Sequence, residues 1–244
     1  MLAIERKNEI LDKLRAEQRV LVSDLAEYYN VTEETIRRDL DKLEKEGYAT
    51  KTYGGAILGN STKTDLSYTI RNKTNVEAKN QIAALASRLI EDGDHLMLDD
   101  SSTSLYLAKK LKEKKNLTVI TNSVELVVEL NGIDGWTIIL TGGRLKPDSL
   151  ALIGDQTQQM LHRFHVDTAI MSCKGIDMEA AITDSNDLHA EVKHAMVRAA
   201  KQPILVVDGS KFDKVSFVSI AKLKEVSIVV TNCRPSQEWM RCFA

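Results

Sequence analysis

Apolar residues in the first sixty positions recur three and four apart, whereas after about position 75 they gather into short β-branched runs separated by helix-length stretches. The chain therefore reads as two parts. In the first, Ile4, Ile10, Leu11 and Leu14 share one helical face, and the pattern breaks at Gln18-Arg19-Val20. A second helix is predicted from Asp24 to Tyr29, capped by Ser23 and burying Leu25 with Tyr28 or Tyr29. Asn30, which tolerates left-handed backbone, supplies a tight exit. Thr32 is placed to cap a third helix, with Glu33 and Glu34 at the positive end of its dipole and Gly47 closing it. Val31, Ile36, Leu40 and Leu43 form its core side. At ~100° per residue its outward face carries Thr35, Arg38, Lys42 and Lys45. Arg37 falls on the flank beside Glu33 and Glu44, where an intrahelical ion pair competes with any outside partner. Residues 48–57 alternate around Tyr53-Gly54-Gly55, which predicts a hairpin wing.

The second part begins with a predicted helix from Asn75 to Glu91, buried through Ile82, Leu85, Leu89 and Ile90. Six strands then alternate with helices: His95–Leu98, Leu117–Ile120, Thr137–Leu140, Thr168–Met171, Ile204–Val207 and Val226–Val230. That order predicts an α/β fold with a mostly parallel sheet covered on both faces. Each strand runs into small polar residues. These are Asp99-Asp100-Ser101-Ser102-Thr103-Ser104, Thr121-Asn122-Ser123, Thr141-Gly142-Gly143-Arg144, Ser172-Cys173-Lys174-Gly175, Asp208-Gly209-Ser210-Lys211 and Thr231-Asn232. Parallel strands share one carboxyl edge, and ligands of open α/β sheets bind there. Helix capping accounts for a Ser, Thr or Asn at any single end. It does not account for Lys174, Lys211 and Arg144, which an anion beside free helix amides would use. A phosphate is the simplest such anion, with Asp99, Asn122 and Asp184 available to orient sugar hydroxyls or to serve structure. Between the parts Gly59-Asn60-Ser61-Thr62-Lys63-Thr64 has linker chemistry, so the expected units are 1–58 and 75–244, joined by 59–74.

Composition narrows the function classes. The 244 residues are 43% hydrophobic and 28% charged, which excludes disorder and collagen-like structure. No apolar run approaches the ~18 residues of a spanning helix, and charge follows Met1-Leu2-Ala3-Ile4 directly, so the expected location is cytoplasmic with no membrane partner. Cys173, Cys233 and Cys242 form no CxxC pair, and His162 with His165 lacks further ligands, so neither a metal nor a cofactor is expected. Net charge is −2, and residues 1–58 carry 10 basic against 12 acidic side chains. Any nucleic-acid contact must therefore come from a local arrangement. The outward basic third helix suits a DNA major groove, and a protein-contact module fits the same periodicity.

The run Val31-Thr32-Glu33-Glu34-Thr35-Ile36-Arg37-Arg38-Asp39-Leu40, with Leu43-Glu44, Gly47 and Tyr53-Gly54-Gly55-Ala56, resembles the winged helix-turn-helix of the DeoR family of bacterial sugar-metabolism regulators. The resemblance implies double-stranded operator DNA as partner. It assigns DNA contact to Ser23, Thr32, Glu34, Thr35, Arg37, Arg38 and Lys42, with wing contacts from Lys51 and Tyr53. It continues through Glu91-Asp92-Gly93-Asp94, Val119-Ile120-Thr121-Asn122-Ser123, Lys174-Gly175-Ile176-Asp177 and Asp208-Gly209-Ser210-Lys211-Phe212, which are similar to the family's sensor landmarks. The implied sensor fold is that of sugar-phosphate isomerases and coenzyme A transferases, and the implied effector is a phosphorylated sugar. Candidate effector residues are Asp99, Ser101, Ser102, Thr103, Asn122, Gly142, Gly143, Arg144, Lys174, Gly175, Asp184 and Lys211.

One loop departs from the family pattern Asp-x-Gly-Thr-Thr: Asp99-Asp100-Ser101-Ser102-Thr103 has serine where glycine is usual, narrowing backbone approach while adding a donor. That form, with Ser172-Cys173-x-Gly175-Ile176-Asp177 and Asp184-Ser185-Asn186, resembles the L-fucose operon activators and implies a deoxysugar phosphate. Two functions follow. One is a sugar-phosphate-responsive transcription factor acting as a homo-oligomer, dimer or tetramer, because paired half-sites need paired heads. The other is a sugar-phosphate isomerase or transferase with an added interaction module, using Asp177, Asp184 or Glu191 as base and Lys174 or Lys211 for an enediolate. No paired-carboxylate or activated-nucleophile motif supports the second.

Overall fold

Helix α1 (Ala3–Glu17) leads through strand β1 (Arg19–Leu21) into α2 (Val22–Tyr29), α3 (Glu33–Lys45) and the hairpin β2 (Ala49–Thr52) and β3 (Gly55–Leu58). The computed structural model describes residues 2–17, 19–45, 48–58 and 68–243, and the chain divides into two units, Met1–Leu66 and Ser67–Ala244. The first unit's core joins Ile10 and Leu14 of α1 to Leu25 of α2 and to Ile36, Leu40 and Leu43 of α3. Asn30 takes the left-handed conformation at φ 51°, and the Thr32 Oγ1 accepts from the Thr35 amide at 3.3 Å, both as the sequence predicts.

Three local expectations are corrected. Residues 19–21 are a strand rather than a simple break, with Val20 opposite Ala56 in the order β1-β3-β2. Because the Val22 amide donates to the Gly54 carbonyl at 2.8 Å, α2 starts at Val22 and needs no side-chain cap. Ser23 lies inside its first turn, donating to Asp24 Oδ1. Ile4 is 65% exposed, and the stripe α1 buries is Arg6, Ile10 and Leu14. The expected Gly47 stop and the Gly59–Thr64 linker lie outside the described residues.

In the second unit the predicted helix over 75–91 is divided. Short α4 (Tyr68–Lys73) precedes Asn75, whose left-handed backbone separates it from α5 (Val76–Ala86) and a 3-10 turn at Ser87–Leu89. Within α5 the buried face is Ile82, Ala83 and Ala86, which leaves Leu85 exposed, and past the turn Leu89 is exposed while Ile90 is buried.

The sheet strands are β4 (His95–Leu98), β5 (Thr118–Thr121), β6 (Thr137–Leu140), β9 (Val166–Met171), β12 (Ala200–Val206) and β14 (Ile228–Val230). They lie in the order β14-β12-β9-β4-β5-β6, every neighbouring pair parallel. Alternate residues serve opposite faces. Leu96, Leu98, Val119 and Ile170 pack with α5, α6 (Ser102–Leu111) and α7 (Val124–Leu130). Met97, Ile120 and Ala169 pack with α8 (Asp155–Leu161) and α9 (Asp187–Ala199), and Met171 and Leu205 join Trp239 of α10 (Gln237–Cys242).

The chain lays down β4, β5 and β6 in one direction and then β9, β12 and β14 in the other. The order therefore reverses between β4 and β9, and a crevice opens at such a reversal, outside the strand ends. Two additions have no counterpart in the sequence reading. They are the hairpin β7 (Arg144–Lys146) and β8 (Ala151–Ile153), and an antiparallel sheet of β10 (Gly175–Asp177), β11 (Ala181–Asp184) and β13 (Val218–Ala221).

Candidate functional site

On the first unit, α3 turns its apolar stripe inward and leaves Glu34, Arg37, Arg38 and Lys42 exposed, with Thr35 half-buried. The two arginines are each held by a carboxylate one turn earlier, Arg37 by Glu33 at 2.6 Å and Arg38 by Glu34 at 3.2 Å. Such exposed i,i+4 pairs are worth about 0.3–0.5 kcal/mol and yield readily to a phosphate. Thr32 and Thr35 share a hydrogen bond between hydroxyls at 2.9 Å at the start of the helix. The wing tip carries fully exposed Tyr53, and Gly54 at φ 84° makes the turn that a side chain would strain. Lys51 pairs with Asp41 and its amide donates to Glu44, so the wing is fastened to α3. Sequence reasoning missed the bond beneath this face: Arg6 Nε reaches Asp39 Oδ2 at 2.7 Å, with both residues buried.

In the second unit, parallel pairing brings all six polar strand ends to one edge. Leu98, Thr121 and Leu140 stand opposite one another, so Asp99, Asn122 and Thr141 follow side by side. Asp99, wholly buried, bridges the point of reversal. Its Oδ1 accepts from the Ser101 amide at 3.2 Å and the Ser104 hydroxyl at 2.5 Å, and its Oδ2 accepts from the Ser172 amide at 2.9 Å. Ser101 caps α6 by accepting from the Ser104 amide, and Ser123 caps α7 by accepting from Leu126. The capping account is therefore correct at these two ends. Ser102 and Thr103 form the buried first turn of α6, the positive end of its dipole.

Charge gathers around this turn from residues the sequence reading did not single out. Lys193 of α9 lies 2.6 Å from Asp184 and 3.6 Å from Asp99. Burial works to lower its pKa, but the charges of Asp184, Asp99 and Asp100 outweigh it and raise the ammonium above its ordinary range. Asp100 accepts from His189 Nδ1 at 3.2 Å and meets Arg71 of α4 at 3.5 Å. Against the upward push of burial, His189, Arg71 and Lys193 hold its carboxyl well below the usual carboxylate range. Burial likewise opposes, and Lys193 with Lys174 and His189 overcomes, at Asp184. Lys79 of α5 donates to the Arg71 and Thr74 carbonyls, and burial pushes its pKa down to about 7. Arg71 falls in the stretch expected to be linker. The six residues 68–73, Tyr-Thr-Ile-Arg-Asn-Lys, are too short for a period and mostly indifferent helix formers, so the sequence carries no signal for this helix.

The predicted effector residues separate into groups. Asp99, Ser101, Ser102, Thr103, Asn122 and Asp184 come together at the edge, with half-buried Lys174 and Lys211 on the loops after β9 and β12. The Lys211 charge is felt at Lys79, Asp208 and Cys173. Asn122 Oδ1, Thr141 Oγ1 and Arg71 Nε are buried without a hydrogen-bond partner, which leaves polar capacity at this edge for a ligand. Arg144 is exposed on β7. Gly142 is exposed too, and its carbonyl accepts from Thr157 at 2.7 Å. Gly143 and Gly175 have packing reasons of their own: a Cβ would stand 2.2 Å from Thr157 Oγ1 at the first and 2.3 Å from the Lys214 carbonyl at the second. Of the residues considered for catalysis, Asp177 accepts from the Glu179 and Ala180 amides of its own turn, and Glu191 is exposed and bonded to Gln158 at 2.7 Å. Among the described residues no three His, Cys, Asp or Glu side chains are arranged to hold a metal ion, and no helix is long and apolar enough to cross a membrane.

Comparison with known proteins agrees with this division. Residues 6–62 match the DeoR-like helix-turn-helix domain and residues 74–233 match the DeoR C terminal sensor domain. In Bacillus subtilis the uncharacterized regulator YulB is 38% identical over 95% of this chain and 90% of its own, and the transcriptional repressor GlcR is 38% identical over 96% and 90%. The L-fucose operon activator of Haemophilus influenzae is 32% identical over 93% and 91%, so the fucose branch is not singled out. Among solved structures, the tetrameric eIF2B-beta2-delta2 complex from C. thermophilum superposes with a TM-score of 0.50 at 17% identity, covering 69% of this chain and 60% of that one, a likeness of fold alone.

Proposed function

The chain belongs to the DeoR family of transcriptional regulators, and from that premise we propose that it is a cytoplasmic regulator of a carbohydrate-utilisation operon that responds to a phosphorylated sugar bound at the carboxyl edge of its sheet. Helix α3 enters the major groove of double-stranded operator DNA with Thr35, Arg37, Arg38 and Lys42, exchanging the Glu33 and Glu34 partners for DNA. Lys51 and Tyr53 of the wing lie along the backbone, and Ser23, Thr32 and Glu34 flank the contact. A homo-oligomer, dimer or tetramer, supplies a second reading head for the other half-site.

The observation that carries the effector reading is the gathering of Arg71, Lys79, Lys174, Lys193 and Lys211 around the buried carboxylates Asp99, Asp100, Asp184 and Asp208 at the carboxyl edge where α6 begins. A dianion there meets helix amides and cations together, in surroundings where unpaired charge is costly. Asn122 and Thr141 retain unused polar atoms for sugar hydroxyls. The Ser101-Ser102-Thr103 loop supports including deoxysugar phosphates among the candidates.

The test is a thermal-shift screen of the full chain against sugar monophosphates and the matching free sugars, followed by DNA-binding titrations with and without any hit. A monophosphate at a hundred times its Kd stabilises the folded chain by about 2.7 kcal/mol, and its free sugar does not. Lys174→Ala or Lys211→Ala abolishes the effector response and leaves ligand-free DNA binding near normal. A response retained in both variants moves the effector site elsewhere. Equal shifts from free sugars remove the phosphate.

A further inference from the structure

We propose that the buried Arg6–Asp39 pair is a positioning device that sets the rotation of α3 about its own axis, and with it which side chains face the DNA. The proposal rests on the DNA-reading half of the function above. Asp39 occupies a core position of α3, 2% exposed, in the stripe Ile36, Asp39, Leu40 and Leu43. Arg6 occupies a core position of α1, 8% exposed, in the stripe with Ile10 and Leu14. Two residues 33 apart in sequence, on different helices, thus each place a charge where an aliphatic side chain would pack, and the charges meet at 2.7 Å.

Stability alone does not call for this arrangement. Replacing a buried ion pair by well-packed apolar residues is often neutral or stabilising, whereas a buried polar contact fixes register. The leucines around Asp39 bind through contacts with no preferred direction, so an apolar stripe tolerates small axial rotations. A guanidinium hydrogen bond to a carboxylate does not, because its donors are fixed in a plane. A rotation of about 10° carries a side-chain tip ~6 Å from the helix axis through about 1 Å, enough to misalign a hydrogen bond to a base edge. Asp39 adjoins Arg38 in the chain, so the bond is made one residue from the exposed guanidinium that it orients.

The experiment uses the full chain. Wild-type protein first selects a duplex from a random pool, and Kd is then measured for that duplex and for a scrambled one at fixed salt. The double variant Arg6→Met with Asp39→Leu is expected to melt within a few degrees of wild type, to bind the scrambled duplex unchanged, and to lose about tenfold in affinity for the selected one. Arg6→Lys keeps the charge but not the planar fork; it is expected to stay folded and to lose at least threefold in discrimination. A folded variant of either kind that discriminates within twofold of wild type makes the pair merely structural and overturns the proposal. Wild-type protein that selects no sequence at all overturns the DNA-reading premise instead, so the two failures are distinct.

Discussion

Replacing Lys79 by methionine tests the electrostatics of the cleft in numbers. The ammonium is buried, donates to the Arg71 and Thr74 carbonyls, and titrates at about 7; burial is the main cause, Asp208 opposes it, and Lys211 and Arg71 add to it. In the unfolded chain the same group titrates near ~10.4. Between those values the unfolded chain binds a proton that the folded chain lacks, so the free energy of unfolding rises with pH. This contribution is complete above ~10.4, is lost as pH falls toward about 7, and is level below that. One proton corresponds to at most about 1.4 kcal/mol per pH unit, or about 2 kcal/mol between pH 7.5 and 9. Urea unfolding of wild type and Lys79→Met across that range measures it: the wild-type curve is expected to climb relative to the variant by up to that amount. A bound phosphate favours the ammonium, so binding at pH 8 is expected to take up between about half and one proton in wild type and none in the variant. Calorimetry in buffers of different ionisation enthalpy reads this directly. Parallel stability curves, or binding without proton uptake, refute the reasoning.

Three further outcomes follow from the same geometry. Lys193→Met leaves Asp184 and Asp99 buried beside each other without their cation, at a cost of about 3–5 kcal/mol, read as a fall of roughly 10 °C in the melting of the second unit. Arg38→Ala removes a largely exposed side chain, so melting is expected to stay unchanged while affinity for the selected duplex falls by about 1–3 kcal/mol; undiminished affinity at fixed salt would reject the assigned face. Cys173 is buried and its thiol is pushed up to about 12, while Cys233 and Cys242 are exposed. A thiol reagent at pH 8 should therefore modify two cysteines quickly and the third only on denaturation.

Much of the architecture is legible along the chain because it rests on local rules. The period of Ile36, Leu40 and Leu43, the Thr32 cap and the left-handed Asn30 specify the helix pair around the turn without reference to anything distant. The six short apolar runs, five of them β-branched, and the polar residues after them specify the parallel sheet and its functional edge in the same way. What escaped depends on residues far apart. Nothing in the sequence pattern singles out Arg6 or Lys193, and only folding brings them to Asp39 and Asp184. Asp99 read equally as a ligand for sugar hydroxyls or as a structural residue, and its choice of partners Ser101, Ser104 and Ser172, the last across the reversal of the sheet, is set only by folding. Ser23 read as a cap, but the Gly54 carbonyl in the wing turn takes the Val22 amide and makes capping unnecessary. Short β7 and β10 carry too few residues for a period to register, and β13 pairs with a strand more than thirty residues earlier.

The strand at the middle of the large sheet is the first of the six to leave the ribosome. Strand β4 gains β5 about twenty residues later but must wait some seventy for β9, its neighbour on the other side. Throughout that interval of synthesis Leu96, Met97 and Leu98 belong to a half-built sheet with one long edge open, the condition in which nascent chains pair wrongly with one another. A chain interrupted anywhere between 121 and 166 is thus left with a central, wholly apolar stretch, Leu96-Met97-Leu98, unprotected on one side. Because its contacts are the more distant in sequence, the pairing of β9 with β4 is expected to form after the local helices.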